Sequence, residues 1–258
     1  MLIPQLAYEL MLCQTIPILH VLVGYLSARD TYIPVSPDSP TQCRVIRAHL
    51  ADSFRLVFAD GPFPSGPGPD VTAVYGGWGP FRAWLPHPAV KDPDVDKIDE
   101  CIAAAMAADD REGATGPWVG LLGFSQGARV AASLLLRQQR HQQRQKASLG
   151  FAYGATNVIS EYRFAVLFAG RGPLMNMGAG DDNTRPEAEL LELPTIHVHG
   201  LQDPGIEMHR DLLRCCLGSS ARLVQWDGDH RVPIRTKDVS AVAAEIRDLA
   251  SRGILGDG

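Results

Sequence analysis

The stretch WVGLLGFSQGARVAASLLL, residues 118–136, decides the fold. A mostly apolar run leads into Gly-Phe-Ser-Gln-Gly at 123–127, and good helix-forming residues follow it. A strand, a tight turn and a helix in this order are typical of a nucleophile elbow, in which a serine lies on a strained turn. Small neighbours keep the strand and the helix from clashing, which explains the two glycines. The stretch therefore predicts that Ser125 is a nucleophile.

Short apolar runs alternate with helical patterns along the rest of the chain. Continuous hydrophobicity, rather than strict alternation, is typical of parallel strands that are covered on both faces. Strands that alternate with helices indicate βαβ units. The fold class is therefore α/β, with a mostly parallel central sheet and helices on both faces. The predicted strands are 17–23, 55–59, 119–123, 164–169, 195–199 and 222–226, and the predicted helices are 43–51, 95–108, 128–139, 208–217 and 237–251.

The 258 residues suit a single α/β domain that spans 1–258. Two parts of it depart from the regular alternation. Residues 1–41 are an irregular N-terminal segment, apolar but interrupted by prolines and an acid. Residues 60–88 are dense in Gly, Pro and aromatic residues and are too long for an ordinary connection, so they are predicted to be a functional loop.

The composition argues against several classes of partner. A net charge of −5 excludes nucleic acid as a main partner, which would require a basic stripe. The basic run at 137–146 is interleaved with glutamine and is interpreted as a solvated helix end. There is no H-E-x-x-H sequence and no phosphate-binding G-x-x-x-x-G-K-[ST], so neither a metal nor a cofactor is expected.

The cysteines and the N-terminus point to the cytoplasm. The five cysteines form no C-x-x-C pair, which favours free thiols in a reducing compartment. No basic residue precedes Arg29, so the charged start of a signal peptide is missing. The longest clean apolar stretch, 18–26 apart from His20, is far shorter than the roughly 20 residues that a membrane span needs. We therefore expect a cytoplasmic protein that does not enter a membrane.

A serine hydroxyl is a poor nucleophile without a base, and the base needs an acid to orient it. In α/β-hydrolases these residues follow in the order Ser, Asp or Glu, His. Asp203 and His230 supply that order, and each lies just past a predicted strand, as Ser125 does. Because the carboxyl ends of parallel strands meet at one edge of a sheet, the three side chains are expected to converge.

The other titratable residues of this region have simpler interpretations. Asp227 and Asp229 lie too close in sequence to His230 for easy triad geometry and are interpreted as turn residues. His197 and His199 alternate along a predicted strand and are interpreted as structural or pocket residues, and His209 lies on a predicted helix. The amide of Gln126, at the start of the helix after the nucleophile, is predicted to donate to an oxyanion.

At this point the chain resembles the fungal serine hydrolase family, and within it the small thioesterases and esterases found beside polyketide synthases. The similar pieces extend over about residues 42–250, and the proline-aromatic piece between the first helix and the elbow is more specific than the elbow itself. These pieces are 54–65, 79–84, the elbow with its helix, 193–200 with Asp203, and 228–230 with Pro233.

The resemblance implies an α/β-hydrolase fold and a Ser125–Asp203–His230 triad. It also implies that four aromatic side chains help to wall an acyl pocket, and large apolar rings suit a lipid-like chain better than a sugar or a peptide. These side chains are Phe63, Trp78, Phe81 and Trp84.

One departure from the family concerns the second oxyanion donor. Members usually open with a strand that leads into a His-Gly-x-Gly loop, whose backbone supplies that donor. Here the corresponding strand would end at His20 and be followed by Val21-Leu22-Val23-Gly24, so Leu22 is the predicted donor. A β-branched residue where glycine is expected makes the loop irregular, and the loss of one donor typically costs about 10²- to 10³-fold in kcat.

Three functions follow as expectations. The first is a serine hydrolase that cleaves an acyl thioester or ester, releasing a polyketide acyl chain from a synthase carrier protein in secondary metabolism. The second is a general carboxylesterase or acyl-protein thioesterase without a polyketide partner, because Gly-Phe-Ser-Gln-Gly occurs in that group too. The third is an acyl-binding protein, catalytically weakened by its irregular N-terminus.

Overall fold

The computed structural model describes residues 19–25, 43–66, 81–86, 93–113, 116–148, 161–178 and 189–255. Its strands are β1 (Leu19–Tyr25), β2 (Phe54–Ala59), β3 (Phe63–Ser65), β4 (Phe81–Ala83), β5 (Trp118–Phe124), β6 (Phe164–Phe168), β7 (Thr195–Gly200) and β8 (Ala221–Trp226). Its helices are α1 (Arg44–Leu50), α2 (Val95–Arg111), α3 (Gln126–Ser148), α4 (Ile206–Arg214) and α5 (Thr236–Leu255).

The strands β2-β1-β5-β6-β7-β8 form a six-stranded sheet in that spatial order, and every neighbouring pair is parallel. The six predicted strands correspond one for one to these six, and the five predicted helices to α1–α5. The α/β class with a parallel sheet is confirmed. Because all strands run the same way, their carboxyl ends share one edge, which is where the loops that carry the predicted site begin.

Helices cover both faces of the sheet, as predicted. On one face, α1 and α5 pack on β-strand side chains such as Val119, Val166 and Ile196. On the other face, α2, α3 and α4 pack on side chains such as Leu121 and Ala165. Strands that are buried on both sides are mostly apolar, and β6 and β7 are buried along their whole length, although β7 includes His197 and His199.

Both of the segments that depart from the regular alternation contain paired strands. Residues 1–41 include β1, which corresponds to the predicted strand 17–23 and pairs with β2 over Leu19–Gly24 and with β5 over His20–Tyr25. Residues 60–88 contain an antiparallel pair, β3 with β4, rather than only loop. These strands have three residues each, β3 contains a proline, and the two lie far apart along the chain, so the sequence shows neither a hairpin turn nor an alternation.

The basic run 137–146 is only partly the solvated helix end that the sequence suggested. Its first residues are paired and at least half-buried: Arg137 donates to both carboxylate oxygens of Asp99, at 2.9 and 2.7 Å. The Gln138 side chain exchanges two hydrogen bonds of 2.8 Å with the backbone of Tyr162. Long polar side chains thus hold α3 to α2 and to the segment before β6, and only the end of the run is exposed.

Four cysteines lie in the described part of the chain, and all four are free thiols, whereas Cys13 lies outside it. Burial raises the pKa of the Cys43 and Cys216 thiols to about 12. These two sulfurs are therefore protonated at neutral pH and are not nucleophiles. Within the residues described, no helix combines the length and the apolar composition that a bilayer crossing requires.

Candidate active site

Ser125 lies between the end of β5 and the start of α3, with φ 52°. This left-handed conformation is rare for a residue with a side chain, and it makes the chain reverse from strand to helix within one residue. The Ser125 N–H donates to the carbonyl oxygen of Phe168 at 2.8 Å, which fixes the turn to the end of β6. The residue is 3% exposed. The predicted strand, turn and helix are therefore all present.

The glycine before the elbow is required by a close approach of two backbones. A Cβ at Gly123 would lie 2.4 Å from the carbonyl carbon and oxygen of Gly127 and 2.5 Å from the Cα of Ala128. Those atoms belong to the backbone of the first turn of α3, so they cannot move away as the end of a flexible side chain could. Only a residue without a side chain lets α3 start this close to β5.

The structure brings the three predicted catalytic side chains into one relay. The Nε2 atom of His230 lies 3.0 Å from the Ser125 Oγ, and its Nδ1 lies 2.5 Å from the Asp203 Oδ2. Ser125 and His230 are 105 residues apart along the chain. The His230 ring also packs against the ring of Phe124, with centroids 5.0 Å apart. These distances and this order of contacts are those of a serine hydrolase triad.

Backbone contacts hold the loop that carries the acid against the loop that carries the histidine. Leu201 N–H donates to the carbonyl of Trp226 at 3.0 Å, and Gln202 N–H donates to that of Gly228 at 2.9 Å. A Cβ at Gly200 would lie 2.5 Å from the Gly228 carbonyl oxygen, so glycine lets the two loops touch. The Gln202 side chain adds a hydrogen bond of 2.6 Å to Asp227. Asp227 thus helps to join the two loops.

The acid of the relay is held in its charged form. Burial tends to raise the pKa of Asp203, but hydrogen bonds from His230 and from the Gly205 N–H outweigh it and keep the pKa below its ordinary value. The Gly205 N–H lies 2.7 Å from Oδ1, so the two carboxylate oxygens have separate donors. A charged carboxylate at Nδ1 selects the tautomer in which Nε2 is free to accept the serine proton.

His209, on α4, is a site residue that sequence reasoning missed. Its Nε2 lies 3.3 Å from the Asp203 Oδ2, and the residue is fully buried. A helical histidine has no distinctive sequence signal, but His209 and Leu212 are the two buried residues of α4. Their i, i+3 spacing marks the inner face of that helix, which could have indicated that the imidazole points inward.

His197 and His199 are buried in β7, which fits the structural interpretation. Burial lowers the pKa of His197 to about 3 and that of His199 to about 4. Their rings lie 6.0 Å apart, and the His199 ring lies 5.4 Å from that of His209. A row of uncharged imidazoles therefore runs from the interior of the sheet to the relay.

Gln126, the first residue of α3, contributes through its side chain as well as its backbone. Its Oε1 accepts hydrogen bonds from the amides of Trp84 and Leu85, at 3.0 and 3.2 Å. This ties the segment after β4 to the elbow. The Gln126 amide is among the first N–H groups of α3, which have no acceptor within the helix. It therefore points away from the helix, in the direction an oxyanion donor requires.

The structure corrects the position predicted for Leu22. β1 continues to Tyr25, which pairs with Phe124, and Leu22 pairs with Leu121 in the middle of the strand. A residue that is paired within a central strand is part of the sheet ladder and does not lie in the loop at the edge. Leu22 is therefore not the second oxyanion donor. The residues that follow β1, from 26 onward, lie outside the described residues.

The predicted pocket residues have different surroundings. Phe63 is half-buried on β3, and the Lys97 ammonium lies 5.7 Å from its ring centroid. Trp84 is 1% exposed and packs in the hydrophobic core, so its ring does not line an open surface. Phe81 lies on β4, with its side chain outside the described atoms, and Trp78 lies outside the described residues.

Among the described residues, one group of side chains could supply metal ligands, and it is the relay itself. Ligand atoms of Asp203, His209 and His230 lie within 4.8 Å of one another. Two imidazoles and a carboxylate are acceptable to zinc, but ligands at its usual bond lengths lie about 3.3 Å apart. His230 Nδ1 and Asp203 Oδ2 are 2.5 Å apart, which is too close for both atoms to bind the same zinc ion.

Comparisons with known proteins identify the family of the chain. The family model described as "Serine hydrolase (FSH1)" matches residues 40–242. A probable esterase of Aspergillus terreus is 96% identical over 218 residues, which is 84% of this chain and 86% of that protein. The probable esterase afoC of Emericella nidulans is 55% identical over 250 residues, covering 81% of this chain and 84% of that protein.

A solved structure supports the fold. The carboxylesterase of Mesorhizobium loti matches with a TM-score of 0.50 at 17% identity, and the match covers 88% of each chain. At this identity the similarity concerns the architecture alone. The family match covers most of the chain, and the sequence relatives agree with it. The chain therefore belongs to the FSH1 serine hydrolase family and has the α/β-hydrolase fold.

Proposed function

We propose that this serine hydrolase cleaves an acyl ester or thioester with Ser125 as nucleophile, His230 as general base and acid, and Asp203 as the group that orients His230. The observation that carries the proposal is the unbroken contact from the Ser125 Oγ through the His230 ring to the Asp203 carboxylate, at 3.0 and 2.5 Å.

In the first half of the reaction, His230 Nε2 takes the hydroxyl proton while Oγ attacks the carbonyl carbon of the substrate. The carbonyl oxygen becomes an oxyanion, which the Gln126 N–H at the start of α3 stabilises. When the intermediate collapses, the bond to the alcohol or thiol breaks, and the leaving group receives the proton from His230. An acyl-Ser125 ester remains.

In the second half, water replaces the leaving group. His230 takes a proton from the water as its oxygen attacks the acyl carbon, and the new intermediate releases the Ser125 oxygen, which recovers that proton. The product is a free carboxylic acid. Throughout, Asp203 stays charged and stabilises the imidazolium that forms twice per turnover.

The substrate class that we propose is a polyketide acyl chain bound as a thioester to a carrier protein of a synthase. The resemblance to esterases found beside polyketide synthases supports this choice. The proline- and aromatic-rich β3–β4 region also supports it, because Gln126 anchors that region beside the nucleophile.

The test is a hydrolysis panel with the purified protein and its Ser125→Ala variant. The substrates are p-nitrophenyl esters of increasing chain length and an acyl thioester loaded on a carrier protein. We expect the wild type to hydrolyse acyl substrates and Ser125→Ala to lose at least about 10³-fold of that activity. A wild type that binds acyl ligands without turnover would contradict hydrolysis and favour an acyl-binding protein.

The same panel decides the finer proposal. A kcat/KM that is higher for the carrier-bound thioester than for the best free ester supports release of a synthase-bound chain. A higher value for free esters, with no preference for the carrier, overturns it and indicates a general carboxylesterase.

A further inference from the structure

His209 contacts the acid of the relay at the same carboxylate oxygen as His230. It projects from α4, is fully buried, and its Nε2 lies 3.3 Å from the same Asp203 Oδ2 that contacts His230. Its ring lies 6.1 Å from the His230 ring. The carboxylate is therefore flanked by two imidazoles, of which the proposed mechanism uses one.

The surroundings of His209 leave its ring no other polar partner. Neither ring nitrogen has a hydrogen bond of good geometry to the rest of the described residues. The titratable groups around it are Asp203 after β7, His199 on β7 and His230 after β8, and the Arg171 guanidinium beyond β6 adds a positive charge. Asp203 is the one negative group among them.

The charge state of His209 follows from this setting. Burial lowers its pKa to about 4, Asp203 opposes that shift, and the neighbouring imidazoles and Arg171 reinforce it. The ring is therefore neutral at physiological pH and carries one N–H. A buried N–H without an acceptor is costly, and Oδ2 of Asp203 is the acceptor at hand.

We propose that His209 is a positioning residue that turns its Nε2–H towards the Asp203 Oδ2 and so shares that oxygen with His230. The inference rests on the proposed triad and adds a second donor to its acid. Two donors on one oxygen hold the carboxylate in the orientation that His230 needs. They also divide its negative charge, so that less of it stabilises the His230 imidazolium.

This division of charge predicts the effect of removing the donor. Without the His209 N–H, the carboxylate interacts more strongly with His230, and the protonated, inactive form of the relay persists to higher pH. The acidic limb of the pH–rate profile then moves to higher pH. The plateau rate also falls, because the carboxylate is held less firmly. A residue that only fills space would not move the limb.

The experiment compares His209→Gln with His209→Met, because these side chains are similar in size and only glutamine carries an N–H donor. The readout is the rate at which a fluorophosphonate probe labels Ser125 between pH 5 and 9, which needs no knowledge of the substrate. For His209→Met we expect the midpoint of the acidic limb to rise by about 0.5 to 1 pH unit. For His209→Gln we expect the wild-type midpoint.

The outcomes separate this inference from the proposed function. If His209→Met keeps the wild-type midpoint while Ser125 is labelled normally, His209 is a packing residue and the inference fails alone. If the wild type is not labelled at Ser125, the proposed triad itself fails. His209→Phe, which keeps a ring in the cavity, serves as the donor-free variant if His209→Met does not fold, and its expected shift is the same.

Discussion

At the scale of single residues, the nucleophile lies in a conformation that most side chains avoid. A left-handed φ of 52° at Ser125 costs roughly 1 to 2 kcal/mol for a residue with a Cβ. The turn persists because Ser125 is buried and its N–H is bonded to the end of β6. The strain places the hydroxyl beside His230, where an unstrained turn would not put it.

This strain predicts different free energies of unfolding for two variants that lack the hydroxyl. Ser125→Gly relieves the left-handed strain, whereas Ser125→Ala retains it. We expect the glycine variant to have a free energy of unfolding about 0.5 to 1 kcal/mol higher than the alanine variant. The relieved strain exceeds the extra entropy of glycine in the unfolded chain by that amount.

Urea unfolding of both inactive variants measures the difference. At an ordinary helical position, glycine is the less stable of the two by about 1 kcal/mol. The same order at position 125 would show that the elbow is not strained.

The role of a single residue could be predicted only where that role is associated with a recognisable sequence pattern. Ser125 has a motif, and Asp203 and His230 have an order and a place after strands, so the sequence predicted that the three converge. His209 has neither, because its role arises from the docking of α4 against the loop after β7. Leu22 was assigned to the wrong place because the end of β1 is set by pairing with β2 and β5.

At the scale of elements, the site depends on how closely α3 approaches β5. The contact needs bare backbone at Gly123, where a Cβ would lie 2.4 Å from atoms of the first turn of α3. The Gln126 side chain then ties the same turn to the segment after β4. Nucleophile, helix start and pocket segment are thus parts of one junction.

We therefore expect Gly123→Ala to destabilise the protein by about 3 kcal/mol or more, because neither backbone can yield without moving the elbow. Gly218→Ala is the matched control, since a Cβ there meets nothing within 4 Å. Thermal unfolding and fluorophosphonate labelling check both. A Gly123→Ala protein as stable and as reactive as the control would refute the close approach.

Secondary-structure elements were predicted well where their hydrophobic runs are long. They were predicted less well where contacts with distant parts of the chain determine the structure. The six strands of the sheet are mostly apolar runs bounded by Gly, Pro or Asp, and such runs can be recognised in the sequence. The β3–β4 pair was not visible, because its strands have three residues each and join only in three dimensions. The polar half of α3 was predicted to be solvent-exposed. The sequence does not reveal that the Gln138 side-chain amide forms hydrogen bonds with the backbone of Tyr162.

At the scale of the whole molecule, three buried histidines link stability to pH. Burial lowers the pKa of His197 to about 3 and those of His199 and His209 to about 4. In the unfolded chain all three return to the ordinary value of about 6.5. Below that pH the unfolded state binds more protons than the folded state, so stability falls as the pH falls from about 6.5 towards 4.

We expect the free energy of unfolding to be nearly constant above pH 7 and to decrease steeply between pH 6.5 and 4.5. Each histidine contributes up to about 1.4 kcal/mol per pH unit to that slope. Urea unfolding at several pH values measures it. His197→Gln should make the slope shallower, because it removes one of the three buried imidazoles. Equal slopes in wild type and His197→Gln would contradict the assignment.

The central claim is that residues distant along the chain meet at one sheet edge to make Ser125 reactive. The most direct measurement is peptide mass spectrometry of the folded protein after reaction with a fluorophosphonate, with Ser133→Ala and Ser125→Ala as variants. Ser133 is a buried serine of α3 whose hydroxyl donates to the Arg129 carbonyl. The account predicts a single adduct on Ser125 in the wild type and in Ser133→Ala, and none in Ser125→Ala. An unlabelled Ser125, or an adduct that survives Ser125→Ala, would contradict it.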